Sequence, residues 1–242
     1  MDLTAVIVLI LFIIGAALAF KLIKSAVKAL FSVLFIGIII IAVAGFFVYK
    51  DVTDLKENLG NSNKLLLLDV NNEIAAGVKT FADGREAGFI KNKEELPNYP
   101  IAKSEAYYKI IAIKLESLIN DIKATEMEAD GHNVSKTEAE IILRSENAKE
   151  EAIGIVREKE GAENGDSARK DWENKTDTEI KGMVFGALFK QLTEEKGPGF
   201  GVYLLKEHKK GNVKIIPETA VFKSIGFVPN FLIDKLKILE GG

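Results

Sequence analysis

The sequence predicts an α+β protein: an N-terminal two-helix transmembrane hairpin, then a soluble domain with antiparallel β-hairpins and several helices. Three observations predict it. Two charge-free apolar runs fill most of the first 50 residues. Short apolar runs bracketed by turn residues lie near residues 64–80 and 199–216. Segments with helical spacing and capping residues lie between them.

The first element is residues 1–50. Leu3–Phe20 is 18 residues without a charge, and Ala29–Tyr49 is 21. At a rise of about 1.5 Å per residue these reach roughly 27 and 32 Å, against a hydrocarbon core of about 30 Å. Spans are therefore expected at about 3–20 and 29–49. Between them Lys21, Lys24 and Lys28 fall on one side of a helix, placing their ammonium groups among lipid headgroups at the membrane interface. Asp2 in place of a positive opening argues against a cleaved signal peptide. The three lysines of the connector put it in the cytoplasm and the large domain outside, in a cell-membrane protein with two spans. The lipid bilayer is thus the first expected partner.

This opening resembles the first two helices of the colicin V production (CvpA-like) membrane proteins: Asp2, an apolar run to Gly15, a basic connector, then a second apolar run. The resemblance stops within the first fifty residues and implies a membrane hairpin, not an activity.

The formal net charge is -3; residues 1–50 hold Lys21, Lys24, Lys28 and Lys50 against Asp2, which leaves -6 on the rest. Such a domain lacks the basic stripe of a nucleic-acid binder. With no Cys, the chain has no disulfide, Cys-ligated zinc, iron–sulfur cluster or Cys nucleophile.

Residues 51–63 are polar and end in turn formers, which reads as a juxtamembrane linker or short helix. The soluble α+β domain is expected over 64–242. Lys64–Val70 and Glu73–Thr80 form a hairpin about Asn71-Asn72, residues that tolerate positive φ. A short strand is expected near Ala87–Lys91. Ser104 then caps a helix running to Lys123, with Tyr108, Ile111, Leu115, Leu118, Ile119 and Ile122 on its buried stripe. Ser135-Lys136-Thr137-Glu138 is a capping box opening a second helix, and a third runs to about Glu160. Gly161–Asp177, almost free of aliphatics, reads as an exposed loop, and Thr178–Glu195 as a further helix. Gly199–Glu207 and Val213–Ile216 read as a second hairpin. The chain closes in an amphipathic helix, where Phe222, Phe227, Phe231, Leu232 and Leu236 are the candidate residues for docking a partner or the bilayer.

Chemistry is sparse. No Walker, Rossmann, HExxH or GxSxG pattern occurs, and His132 and His208 are both expected in loops. Glu126, Glu128 and Asp130, followed by Gly131, echo the opening positions of a calcium loop and are the candidate metal ligands. Position 12 of that register is Thr137, with Glu138 one residue late, so an acidic loop between helices is the favoured reading. No cofactor is expected. The function expected is a membrane-anchored interaction or assembly (scaffold) protein whose partner is another protein or a second copy, without a catalytic site. The alternatives are a membrane-tethered hydrolase and an accessory subunit of a transporter or channel.

Overall fold

The computed structural model describes residues 12–15, 26–59, 61–82, 87–92, 94, 96, 107–219, 222–223, 225–230 and 233. The chain forms two compact units, Met1–Tyr49 and Lys50–Gly242.

In the first unit, residues 12–15 are helical, and helix α1 (Ala26–Leu59) begins. With no proline, and with glycine only at positions 37 and 45, the run from Ala29 to Tyr49 has nothing to break its backbone ladder. Its described large side chains stand in the open: Phe31 is 69%, Val33 66%, Phe35 62%, Ile40 61% and Phe46 63% exposed. Counted over the described residues, no helix is long and apolar enough to cross a membrane. Of the span expected at 3–20 only 12–15 is described, and Lys21 and Lys24 lie outside the described residues; Lys28 belongs to α1, but its side chain lies outside them.

The helix does not stop at Tyr49. It continues through Asp51–Leu59, so most of the segment expected to be a linker is helical and forms the first element of the second unit.

That unit is α+β, built on a five-stranded mixed sheet of order β3-β2-β1-β4-β7. Strands β1 (Lys64–Val70) and β2 (Glu73–Thr80) are the expected hairpin, with Asn71 at φ 55° and Asn72 at φ 68° making its left-handed turn. Strand β3 (Gly88–Phe89) edges β2 as expected. Strand β4 (Lys109–Lys114) runs parallel to β1, and β7 (Val213–Ile216) runs antiparallel to β4. Central β1 is covered on both faces, which is why four leucines in a row, Leu65–Leu68, are all buried. One face packs Leu65, Leu67 and Ile110 under Ile90 and Leu96. Only glycine fits at Gly77, because a Cβ there would collide with the Ile90 side chain. The other face carries the helices.

Several expectations are corrected here. The helix expected over 104–123 is strand β4 followed by α2 (Leu115–Asp121). Tyr108, Ile111 and Leu115 do match helical spacing, but KIIAIK is a run buried on both faces between β1 and β7, and tertiary pairing decides it. The sheet is in consequence mixed rather than antiparallel. The acidic loop is a two-stranded ribbon, β5 (Glu126–Ala129) and β6 (His132–Ser135), turning on Asp130 (φ 52°) and Gly131 (φ 84°).

The capping box stands as read: Ser135 accepts from the Glu138 amide and Glu138 from the Ser135 amide, opening α3 (Lys136–Arg144). Helix α4 (Ala148–Glu160) follows, with Ile153 and Val156 buried. The expected exposed loop is largely α5 (Ala162–Asp171), whose only buried residues are Gly165 and Ala168. Such a helix has no apolar stripe to find in sequence. It is held to α4 by the Arg157–Asp166 and Arg169–Glu150 ion pairs and by Gly165 lying against Arg157. Helix α6 (Asp177–Lys196) has a second capping box from Thr176 and Glu179 and lies across β2, with Gly182 and Gly186 admitting Phe89 and Val78. The strand expected at 199–207 is helix α7 (Phe200–Lys210). Phe200 to Leu205 are all buried, so the run is apolar all round and has no period to separate strand from helix. Gly211 at φ 78° ends it.

Candidate functional site

The densest set of long-range polar contacts near the start of the second unit joins the last turns of α1 to β4 and the chain after β7. Asp51 and Asp54 lie three apart and so share a face of the helix. Thr219 Oγ1 donates to Asp51 Oδ2, and the Tyr108 hydroxyl donates to Asp54 Oδ2. Asn58 Nδ2 donates to Asp54 Oδ1 at 2.9 Å. Beside them Lys109, 3% exposed, sends Nζ to the Pro217 carbonyl at 3.2 Å and lies 5.2 Å from the Tyr108 ring centroid. Burial pulls the Lys109 ammonium below its ordinary value, and the charges of Asp54 and Asp51 work against that pull. Burial and the Asp54 carboxylate both push the Tyr108 phenol up, so it stays protonated and serves as a donor. Every hydroxyl here is spent on a carboxylate, which suits fastening rather than catalysis.

A second polar knot lies where α2, α7 and β7 meet. Ser117 Oγ is 3.0 Å from Glu207 Oε2 and 3.2 Å from Asp121 Oδ2. Asn212 Nδ2 and Lys210 Nζ donate to Glu207 at 2.7 and 2.6 Å, and the Tyr203 hydroxyl donates to Asp121 at 3.0 Å. Burial of Glu207 raises its carboxyl, but the donors from Asn212, Lys210 and Ser117 outweigh it and hold the group below its ordinary value. A buried carboxylate with each oxygen satisfied is a structural cross-link.

The candidate metal residues sit on the β5–β6 ribbon. Glu126 and Glu128 point to its exposed side, and Glu126 is 3.5 Å from Lys159. Asp130, in the turn, accepts from Trp172 Nε1 at 2.7 Å and Lys175 Nζ at 2.9 Å. Its burial pushes the carboxyl up, while Lys175 and Trp172 bring it net below its ordinary value. Among the described residues, no three His, Asp or Glu side chains are grouped to hold a metal ion. Asp130 instead pins the ribbon to the turn after α5.

Both histidines sit in regular structure, not loops. His132, in β6, places Nδ1 3.0 Å from Glu160 Oε2 with its ring edge-on to Trp172. His208, in α7, has its two ring nitrogens 3.0 Å from the Val213 carbonyl and 3.1 Å from the Phe222 carbonyl. Neither ring has a hydroxyl among its recorded partners.

Of the candidate docking residues, Phe222 is 2% exposed and packs edge-on against His208, so it belongs to the core. Phe227 closes a 3-10 turn, Ile225–Phe227, but its side chain lies outside the described residues, as do Phe231, Leu232 and Leu236. The neighbours Ile225, Val228 and Ile233 are buried, because the described part of the tail packs inward. Sequence reasoning missed Asp51, Asp54, Tyr108, Ser117, Trp172 and Glu207. Each has a partner 42 to 168 residues away, so no local spacing marks them.

No protein-family model matches this chain, and neither does any curated protein or solved structure.

Proposed function

We propose that the chain is a membrane-anchored assembly protein: residues 3–20 and 29–49 form the anchor, and the α+β unit is held at the bilayer surface outside the cytoplasm. One observation carries the reading. The described large apolar side chains that stand exposed are concentrated at residues 13–47, and Ile141, at 45%, is the single such residue in the second unit. A run of that kind needs a non-aqueous surround. The same helix carries Asp51 and Asp54, which fasten to Thr219 and Tyr108, so the apolar run leads straight into the folded unit. Confinement to two dimensions raises the effective concentration of the domain for a second copy or another protein in the same membrane.

The test is fractionation of full-length protein from cells. Retention in the membrane pellet through an alkaline carbonate wash, release by detergent, and a cross-linked dimer or stoichiometric partner support the reading. Recovery in the soluble fraction overturns the anchor. Recovery in membranes as an uncross-linked monomer overturns the assembly role. Protease treatment of intact cells reports the side: digestion of the domain is expected, and its protection reverses the orientation.

A further inference from the structure

Helix α7 carries His208 on the side that meets β7 and the chain after it. The imidazole is 11% exposed and edge-on to the Phe222 ring, with centroids 5.1 Å apart. Its Nδ1 lies 3.0 Å from the Val213 carbonyl oxygen and its Nε2 3.1 Å from that of Phe222. Both partners are acceptors, and an acceptor is met only by an N–H. A neutral imidazole has one N–H and one lone pair. In either tautomer it satisfies one of these carbonyls and turns a lone pair on the other. The imidazolium has two N–H groups and satisfies both.

The charged groups around the ring suit a cation. From the tail, the Glu218 carboxylate stands 3.9 Å from Nε2. On α7 itself Glu207 and Lys210 pair with each other at 2.6 Å, and Lys206 has a partner of its own. Lys209 reaches the Val228 carbonyl and the Asn230 side chain. Lys214 of β7 and Lys223 of the tail are exposed, and Lys196, at the end of α6, is spent on the Asp121 carbonyl.

The chain after β7 is tied to the rest of the unit through Lys109 on the Pro217 carbonyl, Thr219 on Asp51, His208 on the Phe222 carbonyl and Lys209 on the Val228 carbonyl. Of these donors, histidine is the type whose proton count changes between about pH 5 and pH 8. Val213 is fixed by its pairing with Ile113 in the sheet, so the tail is the partner that yields. We infer that His208 is a proton-operated clasp on the tail. Its imidazolium bridges β7 and Phe222, and as pH rises it gives one proton to solvent and the tail loosens. This goes beyond the anchoring role and does not depend on it.

Amide exchange on full-length ¹⁵N-labelled protein in detergent tests it, read at about pH 5.5 and about pH 8 and corrected for the intrinsic effect of pH. The reporters are the Lys223 and Val228 amides, bonded to the Thr219 and Ile225 carbonyls. Their protection should fall by about tenfold at the higher pH, the worth of one hydrogen bond, while the β1 amides keep theirs. His208→Gln should abolish this dependence, and His132→Gln should keep it. The chain has two histidines, so His132→Gln also assigns the ring ¹⁵N signals. In wild type, the His208 ring should carry two protons at the lower pH and one at the higher. Protection that ignores pH, or that still falls in His208→Gln, overturns the proposal. So does a His208 ring that loses its proton while the tail stays as protected as before. That last result is read on the wild-type chain, and so it decides even where His208→Gln fails to fold.

Discussion

Two apolar stretches of this chain meet opposite fates. Leu65, Leu66, Leu67 and Leu68 of β1 are 0, 3, 0 and 0% exposed, whereas Phe31, Val33, Leu34 and Phe35 of α1 are 69, 66, 56 and 62% exposed. Composition does not separate them, since both are nearly all aliphatic or aromatic. What separates them is the number of neighbours that the fold supplies. Strand β1 pairs on both edges and is covered on both faces, so it buries every residue after Lys64. The described part of α1 before Tyr49 has no such cover. At about 25 cal/mol per Å² of apolar surface, leaving large side chains in water forfeits roughly 1.5–3 kcal/mol each. The first stretch therefore stabilises the protein from within, and the second stands without cover among the described residues.

The sharpest way to break that contrast is to charge the exposed stretch. Phe35→Lys with Ile38→Lys should cost roughly 5–7 kcal/mol of membrane insertion, from about 2.5–3.5 kcal/mol for each lysine near a helix centre. Flotation with lipid vesicles reads it: the wild-type chain should rise with the vesicles and the variant should stay at the bottom. Urea unfolding of the second unit should be unchanged. If the variant floats as before, the exposure of α1 has another meaning and the anchor is lost.

The complementary change is made in β1. Leu67→Ala opens a hole under Ile90 and Ile110 and should cost about 2–5 kcal/mol of stability, read as a lower urea midpoint, with no change in flotation. A loss of both properties would mean that anchoring and folding are one event.

How much of this was legible in the sequence follows the same divide. The β1–β2 hairpin was readable because Asn71-Asn72 is a local turn signal, and α3 because its capping box closes within four residues. Strand β4 and helix α7 were misread because IIAI (residues 110–113) and FGVYLL are apolar throughout, and such runs lose the period that distinguishes strand from helix. Helix α5 was missed for the opposite reason, having only Gly165 and Ala168 to bury. The candidate site was least legible. Asp54 finds Tyr108 and Asp51 finds Thr219 only once the sheet has brought them together, and Asp130, read for metal, is taken by Trp172 and Lys175.

Polar links inside the second unit should show smaller effects and a definite pH sign. Glu207→Gln removes a carboxylate held by Asn212, Lys210 and Ser117 and should cost about 1–3 kcal/mol near neutrality. Because its folded value lies below the ordinary carboxyl value, its contribution is fully present above the unfolded value of about 4.3 and fades as pH falls through the depressed one. Asp130, Glu138, Glu179 and Glu195 are shifted the same way, so the second unit should weaken as the solution is acidified below that range. Urea midpoints taken from pH 7 to pH 3 should fall for wild type and fall less for Glu207→Gln. Identical slopes would place the acid sensitivity at the other carboxylates.

The smallest effect tests the most local element. Ser135→Ala deletes one half of the α3 capping box, which joins β6 directly to the helix, and should cost about 1 kcal/mol. Two further bonds limit the damage: Glu138 also meets Lys159 at 3.1 Å, and the Lys136 amide donates to the Thr125 carbonyl at 3.0 Å. The entry to α3 is thus held from outside as well as from within. Thr176→Ala should weaken α6 by a similar amount, since its box has the same two bonds and Glu179 is likewise backed by Lys91 at 3.2 Å. If either threonine or serine variant fell by as much as Leu67→Ala, the caps would be holding long-range packing in place, and the division between locally written elements and those made by burial would have to be redrawn.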